Sequence, residues 1–547
     1  MQTFNVITRR GFLDRSVKIG LGVALSTLTD IPLVLKRALA DGSIGGNGKK
    51  VIFLWMRGAN DGLNSLIPVN DSGYAASRSS ILIPTNGTAY NNTTGGCEFT
   101  PANGGDTFPA DGTGKQYALA LQNGFAGLHP SLKFLAPVYN AGELALIHRV
   151  AYANQSRSHF DSQNYWENGT PNNKLVTDGI FYRTMLQSIL NGTAKNPGLT
   201  GVSIQSALPM ILRGSATPMT NLTDPTRYNL LGIPNTTAGN SKADKFMNAS
   251  TDYPFPPKMD RDFLQQQYEN LATTLQVFAG IDFSETGNTF TDDPAAPIDG
   301  GASPYYLFPT TNAKNGGGVT NRYVVDTGAY TLFKNIKAAA MILNKTDAIV
   351  AGTEFSGFDT HNSQGNYVGS HANLQRRIGW AMFALKQYFT RYSDKVSWND
   401  VIVVTLSEFG RTSKENGSKG TDHAEAGVMF VAGGGVKGYG KTPPGGGSAR
   451  TSGVFACGPN PEVYNGTTIN WNTGTSGSMF TGTTKNYLQR AVDYRSVLGE
   501  IIRDHLGASQ TQLNSIIPGY ANTKEKLASG GVSGIDNTTI AGELNII

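Results

Sequence analysis

The chain has few cysteines and no long apolar run after its first 40 residues. Only 2 of its 547 residues are cysteine, which is too few for the thiolate-rich sites that hold structural zinc. No segment after residue 40 reaches the roughly 20 apolar residues that a membrane-spanning helix needs, so no stable membrane span is predicted. Cys97 and Cys457 could pair in an oxidising compartment, and the sequence leaves that disulfide open.

The chain also has little net charge outside its amino terminus. The formal net charge is +5, and the first 40 residues hold six basic and two acidic side chains, so the rest carries about +1. No long basic run is present, and binding to a nucleic acid or another polyanion is therefore not predicted. With 16% charged residues and 66 glycines, the chain is expected to have long polar loops.

The amino-terminal segment has the pattern of an export signal. Residues 8–13 contain two adjacent arginines, a modestly apolar stretch follows at 17–35, and 38–40 provide a small-x-small cleavage site. The alternative is a basic amphipathic helix. We interpret residues 1–40 as a signal read by the bacterial twin-arginine translocation machinery. The remainder, 41–547, is then expected to be exported folded and to reside in the periplasm, at the cell surface or in the medium.

Short apolar runs alternate with helical patterns along the rest of the chain. Runs without polar alternation predict strands buried on both faces of a sheet, and they occur at 51–56, 144–147, 348–351, 401–404 and 428–431. Apolar residues recur at helical spacing at 131–140, 265–275, 330–343, 373–392 and 494–506. This alternation predicts an α/β fold with a doubly wound, mostly parallel sheet.

Three polar stretches interrupt this alternation. They lie at about 70–125, 200–325 and 438–485 and are rich in Asn, Gly, Thr, Ser or Pro. Because the α/β pattern resumes after each, we interpret them as loop insertions at one edge of the sheet within a single domain.

Acidic and histidine residues lie beside the predicted strands, and parallel strands bring such positions together at one edge of a sheet. The candidate metal ligands are Asp61, Asp359, His361, Glu408, Asp422 and His423. Oxygen and imidazole ligands of this kind suit divalent ions, and the set is large enough for two. Each residue also has a structural alternative: a helix cap for Asp61, an Asx-turn for Asp359, or an ion pair between Glu408 and Arg411. Asp422 could bind metal directly or orient a ligand.

Residues 156–161 hold the candidate nucleophile. Ser158 precedes a helical pattern that starts at about His159, so it is either an N-cap or a nucleophile activated by the helix terminus and a nearby cation; Ser156 is the second choice. His159 is a candidate ligand or substrate-positioning residue. Arg157 and Arg411 are candidates for holding the oxyanion.

Motifs spread along the chain resemble a family of exported bacterial proteins, the domain of unknown function numbered 1501. They are RGANDGLN at 57–64, LHP at 128–130, SRSHFD at 156–161, DTH at 359–361, SEFGRT at 407–412, GTDH at 420–423 and DYR at 493–495. The resemblance implies the alkaline phosphatase/sulfatase-like superfamily, with Asp61, Asp359, His361 and His423 as metal ligands and Ser158 as nucleophile. The chain departs from the superfamily at Glu408-Phe409-Gly410, where an Asp-His-Gly sequence is usual.

The sequence therefore predicts an exported hydrolase that uses a serine and divalent metal (Zn, Mn, Mg or Ca) to cleave a phosphate or related ester. Sulfatases that use formylglycine need a Cys or Ser in a C/S-x-P-x-R context, which Cys97, Cys457 and Ser158 lack, so that chemistry is not expected. The alternative is a catalytically silent binding or assembly protein with the same fold.

Overall fold

The computed structural model describes the folded part of the chain with several gaps. The described residues are 44–85, 97, 116–121, 123–194, 197–217, 219–224, 274, 277–278, 280–283, 290–298, 304–310, 324–458, 462–464, 467–469, 479–480, 487–521, 526–528, 531–533 and 539–547. The predicted signal at 1–40 lies outside them, as do much of the three predicted insertions and nearly all of the predicted helix at 265–275.

The strands have the following bounds in chain order. They are β1 (Lys50–Met56), β2 (Leu66–Ile67), β3 (Leu119–Ala120), β4 (Gly127–Leu128), β5 (Leu144–Ala151), β6 (Gly201–Ile204), β7 (Thr220–Leu222), β8 (Val350–Phe355), β9 (Val401–Leu406), β10 (Gly427–Gly433), β11 (Val454–Phe455), β12 (Glu462–Tyr464), β13 (Thr467–Ile469), β14 (Val492–Asp493), β15 (Val532–Ser533) and β16 (Thr539–Ile540). The five predicted strands correspond to β1, β5, β8, β9 and β10.

The α-helices are named in the same way. They are α1 (Ser72–Ser77), α2 (Ala136–Asn140), α3 (His159–Asn168), α4 (Ile180–Leu190), α5 (Tyr330–Lys345), α6 (Ser370–Arg391), α7 (Tyr494–Glu500) and α8 (Gln510–Ile516). A π-helical turn, Ile501–His505, continues α7. The first half of the predicted helix at 131–140 is instead a 3₁₀ helix, Pro130–Leu135.

A mixed, mostly parallel sheet of nine strands organises the molecule. Its order is β11-β5-β10-β9-β1-β8-β6-β7, and β14 also pairs with β5. Among these strands β10 runs antiparallel to both neighbours. The uniform apolar run had suggested a parallel strand. The chain instead returns beside β9 without a crossover, and an isolated antiparallel bridge joins Arg411 to His423 in the connection.

The central strand β1 explains why its sequence lacks polar alternation. Its residues face two different cores: Ile52 and Leu54 belong to one hydrophobic cluster, and Val51 and Phe53 to the other. Successive strand residues point to opposite faces, so both faces of β1 require apolar side chains. Each fully buried side chain of this size contributes roughly 1.5–3 kcal/mol of hydrophobic stabilisation. Helices cover both faces, and this confirms the predicted α/β class.

Two further expectations concern the membrane and the cysteines. No helix within the described ranges has the length and apolar character required to cross a membrane. Cys97 and Cys457 are both buried, and no disulfide joins these two described residues. The Cys457 thiol instead contacts the sulfur of Met479 at 3.8 Å, and its burial raises its pKa well above the ordinary value.

Candidate metal centre

The sheet topology brings four loops to one edge. Because β1, β5, β8 and β9 run in the same direction, their carboxyl ends share that edge, and the antiparallel β10 begins there. The loops that follow β1, β5 and β8, together with the connection from β9 to β10, contain the acidic and histidine residues predicted as ligands.

Three imidazoles and one carboxylate converge where these loops meet. His159, Asp359 and His423 each place one ligand atom within 4.8 Å of the others. The Nε2 atom of His423 lies 3.1 Å from Nε2 of His159 and 3.3 Å from Oδ1 of Asp359. His361 joins the same cluster, since its Nε2 atom lies 3.0 Å from Nε2 of His423 and 3.1 Å from Oδ1 of Asp359. The contact from Nε2 of His159 to Oδ1 of Asp359 is 3.7 Å. The group of atoms that all lie within 4.8 Å of one another contains His159, Asp359 and His423 but not His361.

The opposite nitrogen of each imidazole faces an oxygen acceptor. The Nδ1 atom of His159 lies 2.8 Å from Oε1 of Glu408, and that of His361 lies 2.9 Å from Oδ1 of Asp422. The Nδ1 atom of His423 lies 3.0 Å from the carbonyl oxygen of Arg157. These acceptors assign the proton of each neutral ring to Nδ1. The Nε2 lone pairs of His159 and His361 therefore both point toward Nε2 of His423.

The donor set and its spacing fit a divalent ion. Four electron-pair donors this close repel one another unless a cation or protons lie between them. Zinc bonds of about 2.0–2.1 Å in a tetrahedral site separate neighbouring ligand atoms by about 3.3 Å, close to the 3.0–3.7 Å of the five contacts given above. In zinc sites, the other ring N–H of a histidine ligand usually donates to a carboxylate or carbonyl oxygen, as Nδ1 does here. These side chains are 27–48% exposed, so the cluster is open to solvent.

Glu408, a predicted ligand, lies behind His159 instead of in the cluster. Its Oε1 atom accepts hydrogen bonds from His159 and from the backbone N–H of Gly58 at 2.8 Å, and its Oε2 faces the indole of Trp55 at 3.4 Å. Burial alone would raise the pKa of Glu408, but these donors lower it below its ordinary value. An ionised Glu408 in turn raises the pKa of His159.

Arg411, predicted to hold an oxyanion, is buried and fastens the loops to one another. Its nitrogens donate to the carbonyl oxygens of Ala59, Thr421 and Phe358 at 2.8–3.1 Å. It also donates to Oδ1 of Asp359 at 2.5 Å. Burial opposes ionisation of Asp359, and Arg411 with the neighbouring histidines outweighs it, so the pKa of Asp359 is lowered. This geometry gives Arg411 an orienting role toward the carboxylate.

Two glycines allow these loops to approach closely. Gly58 has φ +108°, and a Cβ atom there would lie 2.4 Å from the backbone nitrogen of Asp359. A Cβ atom on Gly420 would lie 2.3 Å from the carbonyl oxygen of His361. Any other residue at either position would push an adjacent ligand loop away. The glycines of the two motifs therefore serve the packing of the site.

Asp61, another predicted ligand, has different partners. Its carboxylate is fully buried and accepts from both terminal nitrogens of Arg78, at 2.6 and 3.0 Å, and from the amide of Gln364 at 2.6 Å. It also caps the short helix that begins at Gly62 by accepting from Leu63 N. Burial would raise the pKa of Asp61, but the charge and hydrogen bonds of Arg78 hold it below its ordinary value. We therefore leave Asp61 out of the ligand set.

The candidate nucleophile lies at the start of α3. Ser158 is the N-cap of that helix, and its hydroxyl accepts from Asp161 N at 3.4 Å. It is exposed and adjacent in sequence to His159, a member of the candidate cluster. Ser156 accepts from the backbone N–H of Ser158 at 3.2 Å. The guanidinium of Arg157 lies over the ring of Tyr487, 4.8 Å from its centroid.

Asp422 forms a hydrogen bond with His361, which agrees with the second of its two predicted roles, orienting a ligand. Its Oδ1 atom also accepts from Asn416 Nδ2 at 2.9 Å.

Sequence reasoning missed the contribution of Phe409, whose ring centroid lies 4.8 Å from those of both His159 and His423. It also missed Arg78 and Gln364. Arg78 falls in a stretch read as a polar insertion, where no local pattern indicates a buried cation.

The fold and the cluster define an α/β protein with a histidine-rich candidate metal site at a sheet edge. Residues 314–470 match a family described as "Protein of unknown function (DUF1501)". The matched segment contains Asp359, His361, Glu408 and His423, whereas His159 lies outside it. A search of curated proteins found no match to the chain.

Proposed function

We propose that the protein is a metal-dependent hydrolase that acts on a phosphate or related ester. The observation that carries this proposal is the convergence of His159, His361, His423 and Asp359, with each imidazole oriented by its own acceptor. One ion fits this set. A two-metal site is not part of the proposal, because Asp61 and Glu408 have other partners.

The donor chemistry favours zinc over magnesium or calcium. Three imidazole nitrogens and one carboxylate oxygen are typical of zinc and other transition metals, whereas magnesium and calcium prefer oxygen ligands. When bound, a divalent ion supplies charge that polarises an ester oxygen and stabilises the anionic oxygens of the displacement.

The residues around the cluster would then divide the remaining tasks. The hydroxyl of Ser158 is the proposed nucleophile, because it is exposed at the amino end of α3 and adjacent to a ligand. Helix termini of this polarity stabilise anions. Arg157, also exposed, is the proposed contact for a nonbridging oxygen of the ester.

The test must separate the nucleophilic role of Ser158 from its role as a helix cap. Asn caps helices about as well as Ser but has no hydroxyl, so Ser158→Asn should keep the thermal midpoint while abolishing metal-dependent turnover of aryl phosphate, phosphodiester or sulfate esters. Ser509→Asn, at the cap of α8, is the matched control and should remain active. A Ser158→Asn protein as active as the unchanged enzyme would exclude the serine mechanism.

A second candidate is a silent binding or assembly protein that uses the metal structurally. One observation favours it: the cluster offers four protein donors, which would fill all four positions of a zinc site, whereas catalytic zinc sites keep one position for water or substrate. Metal that raises the thermal midpoint without supporting turnover of any ester in the panel would select this candidate.

We also propose the finer assignments suggested by the sequence motifs. These are membership of the alkaline phosphatase/sulfatase-like superfamily and export by the twin-arginine machinery. Support for the first is the placement of the predicted ligand loops at one sheet edge. Cell fractionation with Arg9→Lys/Arg10→Lys tests the second; retention of the variant in the cytoplasm is expected, and unchanged export contradicts the proposal.

A further inference from the structure

A buried polar network lies next to the candidate metal centre and has no part in the chemistry proposed above. Gln364 is fully buried. Its amide nitrogen donates to Oδ2 of Asp61 at 2.6 Å. Its amide oxygen accepts from the hydroxyls of Thr360 at 2.9 Å and Thr421 at 2.8 Å. One side chain thus joins three segments that are distant in sequence.

The orientation of this amide follows from the charge of Asp61. Arg78 binds both carboxylate oxygens of Asp61, and both side chains of the pair are inaccessible to solvent. Arg78 is itself fixed by the carbonyl oxygens of Thr412 and Ser413 at 2.9 and 3.0 Å. An ionised carboxylate can accept hydrogen bonds but cannot donate them, so the NH₂ group of Gln364 must face Asp61. Its oxygen must then face the threonines.

The two threonines belong to the loops that carry ligands. Thr360 stands between Asp359 and His361, and Thr421 precedes Asp422 and His423. The backbone N–H of Thr421 also donates to the carbonyl oxygen of Thr360 at 3.0 Å. The amide oxygen of Gln364 is therefore a shared anchor for both ligand loops.

We propose that Asp61 and Gln364 are positioning residues that set the relative placement of these two ligand loops and thereby the metal affinity. The proposal rests on the metal centre proposed above. It gives Asp61 a function different from ligation: the carboxylate orients an amide, the amide orients two loops, and the loops present Asp359, His361 and His423. Supporting contacts around metal ligands typically alter metal affinity by 10–100-fold when removed.

The experiment measures zinc affinity of the full chain by competition with a chromogenic chelator. Gln364→Met keeps the side-chain length and removes the amide, and it should weaken zinc binding about tenfold. The matched control is Gln375→Met. Gln375 is equally buried, but its amide donates to Asn60 at 2.8 Å and contacts His371, so affinity should stay within about twofold of the unchanged protein.

Threonine variants provide a second, milder test should Gln364→Met fold poorly. Thr421→Val removes one hydroxyl at nearly constant volume and should also weaken zinc binding. Thr353→Val is the control, since the Thr353 hydroxyl is buried but donates to Ile204 O at 2.6 Å, away from the ligand loops. Because both act through one amide, combining Thr421→Val with Gln364→Met should weaken zinc binding no further than Gln364→Met alone.

Amide hydrogen exchange of the metal-free protein separates this inference from the proposed function. Exchange across 356–366 and 416–425 should be faster in Gln364→Met than in Gln375→Met, because the anchor orders the loops without metal. If the unchanged protein does not bind zinc, the proposed metal centre is wrong. The comparison of hydrogen exchange then still tests whether Gln364 orders the two loops. Equal exchange in the two variants, or equal zinc affinity of Gln364→Met and the unchanged protein, overturns the inference.

Discussion

At the scale of single residues, the site depends on which atom of each side chain faces the cluster. Asp359, His361 and His423 were predictable because their strand-flanking positions place them at one sheet edge. The position of Glu408 behind His159 was not, because it depends on side-chain reach and on the N–H of Gly58. Sequence spacing carries no information about either.

Removing the charge of Glu408 should weaken the metal site without removing a ligand. Glu408→Gln loses the anion that fixes the His159 ring, so zinc affinity should fall by about 10–100-fold, measured by chelator competition. Glu143→Gln is the matched control, because Glu143 also accepts from an indole, that of Trp398 at 2.9 Å, and its ion pair is with Lys386 instead of a proposed ligand. Equal zinc affinity in both variants would contradict the orienting role.

At the scale of elements, the long buried strands and the start of α3 at His159 were predicted correctly. The strand order and the antiparallel direction of β10 were not, because a uniformly apolar run is compatible with either direction. The reversal shapes the candidate site: the connection from β9 to β10 starts and ends at the same edge, so it carries both Glu408 and His423 to one place.

The carboxyl-terminal segment is held by a buried carboxylate on α7. Glu500 accepts from the backbone N–H groups of Leu544 and of Ile546, the latter at 2.7 Å. Arg450 donates to the carbonyl oxygen of Leu544 at 3.0 Å. Burial raises the pKa of Glu500 to about 8, although the two N–H donors act in the opposite direction.

This raised pKa predicts a pH-dependent attachment of the terminal segment. The folded state holds the proton of Glu500 up to about pH 8, whereas an unfolded glutamate releases it near 4.5. The contribution of Glu500 to stability is therefore present at low pH and is lost between about pH 4.5 and 8. Urea unfolding at a series of pH values measures this effect. In Glu500→Gln, the free energy of unfolding should depend less on pH between about pH 4.5 and 8, and an unchanged dependence would refute the role of Glu500.

At the scale of the whole molecule, the seven histidines fall into two groups. Three form the cluster, and four are buried within the fold. Burial is the largest factor that lowers the pKa of these four, to about 3 for His129 and His148 and about 4 for His371 and His505. They remain neutral in the folded protein at pH values where unfolded histidines become charged.

The neutral histidines predict loss of stability in mild acid. An unfolded histidine takes up a proton below about pH 6.5, whereas these folded ones do not until about pH 4. Within that interval each buried histidine therefore lowers the free energy of unfolding by about 1.4 kcal/mol for each pH unit of acidification. Glu500 acts in the opposite direction but is one group against four. With a chelator present to remove metal, the urea midpoint of unfolding should fall as the pH is lowered from 7 to 5. His505→Gln should make the dependence of the unfolding free energy on pH less steep, by the contribution of about one histidine. A midpoint independent of pH would refute this assignment.

The α/β class could be predicted at this scale because strand and helix periodicities are local properties of a sequence. The buried Arg78–Asp61 pair could not, since its two partners meet only in the folded chain and Arg78 lies in a stretch whose composition indicates a loop. The same limit applied to Gln364, which joins loops from different parts of the sheet edge.

The most direct test of the account is the metal content of the purified protein, measured as zinc per chain by native mass spectrometry after equilibration with zinc and removal of the excess. We expect one tightly held ion per chain, its loss in His361→Ala/His423→Ala, and its retention in His129→Gln, which alters a buried histidine outside the cluster. Negligible zinc in the unchanged protein, or equal zinc in the unchanged protein and the double variant, would contradict the proposed metal centre.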